Sequence, residues 1–436
     1  MATKTKFSYL LLLFSRNLYA QDLLPPHSYI IGFARSDLSV DSLRAKVTPH
    51  VTLKSDQDRE KYDRFWADGH VSYVRAKSTA SIEEYRKLER SLAAIQRGGI
   101  GSSKLNKSSG NSASNDPPTF VACHRVFYFA LPPHVYAEVA TAVRNVSMAK
   151  GGHGATTKIV LEKPFGSDLA SSNLLSSQLS ALFTEQQLYR MDHYLGKEMV
   201  QNLLPFRFAN SVFEPLWNRR HVDAVELLFK ESFGTYGRGG YFDAAGIIRD
   251  VVQNHLLQAL TLLAMEEPAS LSAEDVRNRK VELLKAMRTL TPEDTVLGQY
   301  AGNPAAAAHE DAHLGYTDDP GVSNASKAAT YSLTVLHIDN DRWRGVPFVI
   351  RAGKALDANQ VEARVYFRPP PNLLYSRNDH GEDPQNVLIL RIQPNEAIVQ
   401  RVRVRRPGLE KVEDLVESTL DLTYSDKFKV SFLDKI

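Results

Sequence analysis

Strand patterns alternate with helix patterns through the first part of the chain, and this alternation constrains the fold more than any other feature of the sequence. Short apolar runs predict buried strands over 28–34, 126–131, 158–161 and 187–191, and helices are predicted over 39–50, 82–96, 133–145 and 168–183. Strands that alternate with helices form a parallel sheet covered on both faces. The sequence therefore predicts an α/β domain over residues 1–191.

The pattern changes after about residue 192, where helices mix with segments typical of antiparallel strands. Helices are predicted over 196–204, 246–265 and 273–287, and strands over 224–230, 329–338, 362–367, 387–393 and 397–404. This mixture predicts a second domain, residues 192–436, of the α+β class with a large, mostly antiparallel sheet. Residues 97–118 are rich in Gly, Ser, Asn and Lys and are predicted to be a flexible surface insertion.

Composition excludes several classes of protein. The 436 residues are 43% hydrophobic and 24% charged, as in ordinary globular domains. The net charge of +3 is too small to indicate nucleic-acid binding. The single cysteine, Cys123, cannot form a disulfide or a cysteine-based zinc site within one chain, and no metal site is predicted. No apolar run is long enough to span a bilayer.

The first 20 residues allow two interpretations. Lys4 and Lys6 precede an apolar run over residues 7–14, and Tyr19-Ala20-Gln21 resembles a cleavage site, as in a secretory signal. Alternatively, apolar residues between positions 10 and 18 lie at helical spacing and predict an amphipathic helix that leads into the first strand. The helix is favoured, and we expect a cytoplasmic protein. An organelle or secretory lumen is the alternative if residues 1–20 are a targeting signal.

The segment Glu162–Gly166 places polar groups at the end of a predicted buried strand. Ligands of parallel α/β sheets bind outside the carboxyl ends of the strands, and Lys163 there can reach an anion or a hydroxyl. By itself the segment is explained more simply as a solvated strand end.

The segment Arg190–Glu198 combines a histidine and a lysine four residues apart. On a helix, His193 and Lys197 share one face, and in its first turn the free backbone N–H groups favour an anion such as phosphate. An ordinary helix capped by Asp192 explains the spacing equally well.

A third segment joins a glycine-rich turn, Gly237–Asp243, to residues 247–258 of the helix predicted over 246–265, which contain Asp250 and His255. These two invite interpretation as a carboxylate–imidazole pair, but five residues on an α-helix rotate by roughly 140°, so their side chains should diverge. If His255 is a base, its carboxylate should come from another segment. A lone helical histidine is more often structural.

Together the three segments resemble the signature blocks of the glucose-6-phosphate dehydrogenase family, in the family's order and spacing. The resemblance covers roughly residues 22–430, and the Asp192 block is specific to the family. Further matching blocks are Gly32–Ser36, Phe127–Pro133, Val296–Tyr300, Arg351–Leu356 and Gln393–Ala397. The resemblance implies a Rossmann-like first domain and oxidation of D-glucose 6-phosphate at C1 to 6-phosphogluconolactone. NADP is reduced to NADPH in this reaction, the first step of the oxidative pentose phosphate pathway of glucose metabolism.

The resemblance also implies roles for individual residues. His255 is implied as the general base and Asp192 as its orienting carboxylate, which agrees with the spacing argument against Asp250. The implied phosphate contacts are His193, Tyr194 and Lys197, and the implied contacts to the sugar or its phosphate are Glu231, Asp250, Lys354 and Gln393. Lys163 is placed between sugar and coenzyme, Arg35 at the coenzyme's 2′-phosphate, and Tyr136 as a weaker coenzyme contact. A homodimer or homotetramer is expected.

Two departures from the family pattern affect these expectations. The family begins with a strand and a glycine loop that should precede residue 7, and it continues beyond Ile436 with a further block. A chain without that loop is expected to bind NADP weakly and to turn over little. The missing loop favours one alternative, a catalytically silent relative, and the signal-like first residues would suit another, the lumenal hexose-6-phosphate dehydrogenase branch. Because Gln360 and Val399 replace a usual lysine and aromatic residue, we expect no tight second NADP site at Arg351, Arg364, Arg391 and Arg401.

Overall fold

A computed structural model describes residues 12, 15–25, 27–51, 53, 55–97, 123–150, 154–235, 237–305, 313–370, 385–407 and 415–428. The chain divides into two compact units, Met1–Met191 and Asp192–Ser431. Most of the predicted insertion over 97–118 lies outside the described residues. Of the helices described, none is long and apolar enough to cross a membrane.

The first unit consists of parallel strands and the helices between them. The strands are β1 (Ile30–Ala34), β2 (Val71–Arg75), β3 (His124–Phe129), β4 (Thr156–Glu162) and β5 (Leu188–Met191). The helices are α1 (Val40–Val47), α2 (Asp56–Ala67), α3 (Ile82–Gln96), α4 (Tyr136–Val146) and α5 (Leu169–Ser180). Strand β1 pairs with β2, and β4 pairs with β3 and β5, in each case parallel. The predicted α/β class is confirmed.

One apolar cluster of this unit lies where helix α4 covers strand β4, and a second lies among α1, α2 and β2. Val139 and Val143 on one face of α4 and Ile159 and Leu161 on alternate positions of β4 are fully buried in one cluster. This is the contact expected when a helical stripe covers one face of a strand. It fixes the carboxyl end of β4, after which Lys163 follows.

The described residues of the first unit differ from the sequence prediction in two respects. Helix α2 and strand β2 were not predicted. Helix α2 buries only Tyr62, Phe65 and Trp66, so its apolar stripe is narrow and gives a weak helical pattern. The sheet is also divided, since β1–β2 and β3–β4–β5 are separate within the described part of the chain.

A single sheet of eight described strands dominates the second unit, in the order β13-β12-β11-β10-β6-β9-β8-β7. The strands are β6 (Val222–Lys230), β7 (Thr295–Gly298), β8 (Tyr331–His337), β9 (Pro347–Gly353), β10 (Gln360–Phe367), β11 (Val387–Gln393), β12 (Ala397–Arg405) and β13 (Leu415–Thr423). The β6–β9 pairing is parallel and the other described pairings are antiparallel. A large, mostly antiparallel sheet is therefore confirmed.

Helices α6 (Glu198–Phe208), α7 (Leu257–Ala264) and α8 (Ala273–Lys285) accompany this sheet. Met199 of α6 and Leu260 of α7 are fully buried in the same cluster as Phe348 and Ile350 of β9. Burial of these apolar side chains is the main stabilisation of the unit.

Two helix predictions in this unit are wrong in detail. The helix predicted over 196–204 begins at Glu198, because a separate 3₁₀ turn, His193–Gly196, precedes it. The single α-helix predicted over 246–265 is a π-helical segment, Ile248–Leu256, that continues directly into α7. π-Helical turns are rare and occur frequently at functional sites.

Candidate active site

The turn after β5 presents a carboxylate and a histidine. Asp192 has an extended backbone, and its Oδ1 accepts a hydrogen bond from the backbone N–H of Tyr194 at 3.0 Å, which begins the 3₁₀ turn. Asp192 is thus an N-cap, although of this short turn. His193 and Lys197 do not share the face of one helix as predicted, because Lys197 adopts an extended backbone and is itself the N-cap residue of α6.

The π-helical segment places His255 against Asp192. His255 is only 4% exposed, and its Nδ1 lies 2.6 Å from Asp192 Oδ1. Because an ionised carboxylate can only accept, Nδ1–H donates, and in the neutral form of the ring Nε2 is then an acceptor. Burial alone would raise the pKa of Asp192. The hydrogen bond from His255, the positive charge of that ring when it is protonated, and the N–H of Tyr194 outweigh burial and lower that pKa.

Asp250 lies in the first turn of the same segment. The rotation of roughly 140° between Asp250 and His255 predicted above holds for an α-helix and is wrong for this segment, because a π-helix has i→i+5 hydrogen-bond spacing. The carboxylate that bonds to Nδ1 of His255 is nevertheless Asp192.

The ring of Tyr194 packs against one face of the His255 imidazole. Its ring is stacked on His255 with centroids 4.3 Å apart and planes 20° apart, and the ring of His193 meets His255 edge-on at 4.7 Å. Burial, followed by the charges of Glu231, Asp192 and Asp250, raises the pKa of the Tyr194 phenol far above its usual value. Tyr194 therefore stays neutral, and its ring limits the tilt of His255.

Lys197 lies close to the same aromatic ring. Its Nζ is 5.1 Å from the Tyr194 ring centroid, and burial lowers the pKa of Lys197 despite the opposing charge of Glu396. A partly desolvated ammonium group interacts more strongly with an incoming anion than an exposed one does.

Parallel pairing of β6 with β9 brings two further predicted residues together. Lys230 and Gly353 are partners in register, so Glu231 and Lys354, the next residues of each chain segment, are adjacent and form a salt bridge. Their side chains are 22% and 11% exposed. Gln393 ends β11 and is partly buried. These groups supply both donors and acceptors for a polyhydroxylated ligand.

One functional candidate was not predicted. Lys280 of α8 is partly buried; burial lowers its pKa, and the charge of Asp192 opposes that effect. Its Nζ donates to Gln258 Oε1 at 2.9 Å. No sequence signal distinguishes this lysine, because its position depends on how α8 packs in the folded unit.

The predicted coenzyme residues lie in the first unit at or near the carboxyl ends of strands. Arg35 follows β1 and is exposed, and its loop is held by Tyr73, whose hydroxyl donates to the Ser36 carbonyl at 2.7 Å. Lys163 follows β4 and is partly buried. Tyr136 is fully buried, and its hydroxyl donates to the Glu162 carbonyl at 3.0 Å.

This donor set fits an anionic dinucleotide. An exposed guanidinium on a fixed loop suits a phosphate, and a lysine at the carboxyl end of a parallel strand is where such ligands bind. Tyr136 occupies the core, and its hydroxyl contacts the backbone at the end of β4.

Comparisons with known proteins cover both units. A family model described as "Glucose-6-phosphate dehydrogenase, NAD binding domain" matches residues 13–202. A second, "Glucose-6-phosphate dehydrogenase, C-terminal domain", matches residues 204–435.

Individual relatives are similar over nearly the whole chain. The glucose-6-phosphate 1-dehydrogenase of Drosophila melanogaster is 42% identical over 416 residues, covering 95% of this chain and 72% of the relative. The cytoplasmic isoform of Solanum tuberosum is 41% identical over 414 residues, covering 95% of this chain and 73% of the relative. A solved structure of glucose-6-phosphate dehydrogenase in complex with its substrate glucose-6-phosphate matches with a TM-score of 0.82 and 38% identity, covering 99% of this chain and 81% of that one.

Proposed function

Because this chain belongs to the glucose-6-phosphate dehydrogenase family, we propose that His255 and Asp192 perform the proton transfer of that family's reaction. The chain is an NADP-dependent oxidoreductase that oxidises D-glucose 6-phosphate at C1 to 6-phosphogluconolactone. A catalytically silent relative is not favoured. NADP, when bound, supplies the hydride acceptor. The single observation that carries the proposal is the buried contact between His255 Nδ1 and Asp192 Oδ1 at 2.6 Å.

His255 Nε2 accepts the proton of the C1 hydroxyl as the C1–H bond breaks and the C1 carbonyl forms. The resulting imidazolium is stabilised by the carboxylate at Nδ1, which stays ionised because its pKa is lowered. Tyr194 holds the plane of the ring through the 4.3 Å stack. These contacts fix the direction in which Nε2 can accept, which is the positional requirement of a general base.

The remaining residues bind the sugar phosphate. His193 and Lys197 provide cationic and hydrogen-bonding groups for the phosphate, with Tyr194 between them along the turn. Glu231, Asp250, Lys354 and Gln393 are proposed to contact the sugar hydroxyls or the phosphate. The salt bridge of Glu231 with Lys354 keeps both groups oriented before a ligand arrives.

Each unit is proposed to bind one of the two substrates. Residues 1–191 are proposed to form the NADP-binding domain and residues 192–436 the sugar-phosphate domain. Arg35 is proposed to meet the 2′-phosphate of NADP, and Lys163 to lie between coenzyme and sugar. Tyr136 supports Lys163 by holding the end of β4.

The oligomeric state and the cellular location of the chain are also proposals. A homodimer or homotetramer is supported by Leu420 on the described outer strand β13, which is 65% exposed. Sedimentation of the purified chain would reveal a monomer if this is wrong. A cytoplasmic location is supported by the similarity to a cytoplasmic isoform, and imaging of a C-terminal fluorescent fusion tests it.

Steady-state kinetics of His255→Asn test the proposal. General-base catalysis is typically worth about 10²–10⁴-fold, so turnover should fall by that factor while glucose 6-phosphate binding stays near that of the parent. His221→Gln is the matched control, because His221 is an exposed histidine preceding β6 and should change neither quantity. Turnover of His255→Asn within about tenfold of the parent would refute the assignment.

A further inference from the structure

Asp192, His193 and His255 have a second chemical capacity besides proton transfer. Each offers one ligand atom, and these atoms all lie within 4.8 Å of one another. Ligand atoms bound to Zn²⁺ lie about 2.0–2.2 Å from the metal and hence about 3.4 Å from each other in a tetrahedral site. Small side-chain adjustments would therefore bring the three atoms onto one ion.

The other oxygen of the Asp192 carboxylate gives an independent indication of a ligand. Asp192 Oδ2 is buried and has no hydrogen-bond partner, and the Asp192 side chain is 10% exposed. A buried carboxylate oxygen without a donor costs free energy, and such groups in native structures require an explanation. The Nζ of Lys280 donates to Gln258 and makes no hydrogen bond to this oxygen.

The composition and access of the cluster favour a particular cation. Two imidazoles with one carboxylate form the three-protein-ligand set of open zinc sites, in which water takes the fourth position. His193 is exposed, whereas His255 is buried. An ion can therefore reach the cluster from solvent through His193.

We propose that Asp192, His193 and His255 bind one Zn²⁺ ion, and that this ion blocks the base. A neutral imidazole bound to a metal through Nδ1 carries its single proton on Nε2. His255 Nε2 then donates instead of accepting and cannot take the C1 hydroxyl proton. Because His193 also leaves its phosphate contact, Zn²⁺ and glucose 6-phosphate exclude each other. The blocking step rests on the proposed role of His255, whereas metal binding does not.

Metal binding to the full chain is measured without reference to activity. Equilibrium dialysis against buffered free Zn²⁺ in phosphate-free solution should give one strong site, and Co²⁺ should give visible absorption typical of nitrogen and oxygen ligands. Loss of an outer-shell partner alone weakens metal sites by about 10–100-fold, so His193→Gln should weaken binding by more than that. His193 is exposed, so this variant should still fold.

Two control variants separate the cluster from other ligands. Cys123→Ser and His221→Gln should bind Zn²⁺ as the parent does. Parent-like affinity in His193→Gln, or lost affinity in Cys123→Ser, would overturn the assignment.

The blockade is tested with glucose 6-phosphate and Zn²⁺ together. Increasing sugar phosphate should weaken apparent Zn²⁺ affinity, and Zn²⁺ should inhibit turnover until a chelator is added. Zn²⁺ held by the cluster with unchanged turnover would overturn the blockade and also the role of His255 as base. Absence of Zn²⁺ binding, with His255→Asn still inactive, would overturn the metal site alone.

Discussion

Replacing Asp192 by asparagine should reduce turnover only moderately, for a reason specific to this site. Both hydrogen bonds of the Asp192 carboxylate, from His255 and from the N–H of Tyr194, converge on Oδ1. Oδ2 is buried without a partner. An asparagine can therefore keep its oxygen where Oδ1 is and place its NH₂ group where Oδ2 is, so that the proton of His255 stays on Nδ1.

The expected magnitude follows from the charge that is removed. Two unit charges 4 Å apart interact by about 4 kcal/mol at an effective dielectric constant of 20. If the proton is about half transferred in the transition state, the loss is about 2 kcal/mol, or about 30-fold in turnover. The amide NH₂ without an acceptor should also lower the free energy of unfolding by about 1–3 kcal/mol.

Stopped-flow or steady-state measurement of NADPH absorbance tests the predicted loss of turnover. Chemical denaturation tests the predicted loss in the free energy of unfolding. Asp192→Ala is the comparison variant, since it removes the acceptor as well as the charge and should lose more turnover than Asp192→Asn. A loss of about 10⁴-fold in Asp192→Asn would mean that the amide turns and imposes the wrong tautomer. A loss below about threefold would mean that the carboxylate charge does not assist the base.

Three further predictions concern the phosphate site, the coenzyme and the acid stability of the sheet. Lys197→Ala should raise KM for glucose 6-phosphate by about 10–150-fold with little effect on KM for glucose, since a charge-assisted contact is worth about 1.5–3 kcal/mol; equal effects would exclude phosphate contact. Calorimetry should detect no more than one tightly bound NADP per chain, because buried carboxylates already pair with Arg351, Arg364 and Arg391; two tight sites would contradict this. Burial raises the pKa of Glu362, but Gln360, Arg364 and Arg391 outweigh it and lower the pKa. Its stabilisation is therefore present above the unfolded pKa of about 4.3 and lost as pH falls through the folded pKa. Glu362→Gln should cost about 3–5 kcal/mol near pH 7, and in denaturation titrations the difference from the parent should shrink in acid; a constant difference would refute the linkage.

The sequence predicted elements well where apolar periodicity is strong. Helix α3 was predicted with the bounds that it has, Ile82–Gln96, because its apolar face repeats over four turns. Strand β9 was missed, since Pro347 and the motif around Arg351 obscure its alternation. The π-helical geometry of Ile248–Leu256 also has no signature in residue type, because it depends on tertiary contacts.

The candidate site was predicted from motifs more than from periodicity. From spacing alone, a phosphate site and an ordinary helix cap were equally good interpretations of the segment that contains Asp192 and His193. The family resemblance favoured the phosphate site. The stack of Tyr194 on His255 was not predicted, because these residues are distant in sequence. Their contact arises only when the turn after β5 meets the π-helical segment.

The most direct test of the account is a crystal structure of this chain with glucose 6-phosphate bound. The account predicts that the C1 hydroxyl lies within about 2.6–3.2 Å of His255 Nε2, the distance over which a general base takes a proton, and that the phosphate lies beside His193 and Lys197. A sugar bound in the reverse direction, with its phosphate at His255 and C1 beside Lys197, would contradict the assignment of the base.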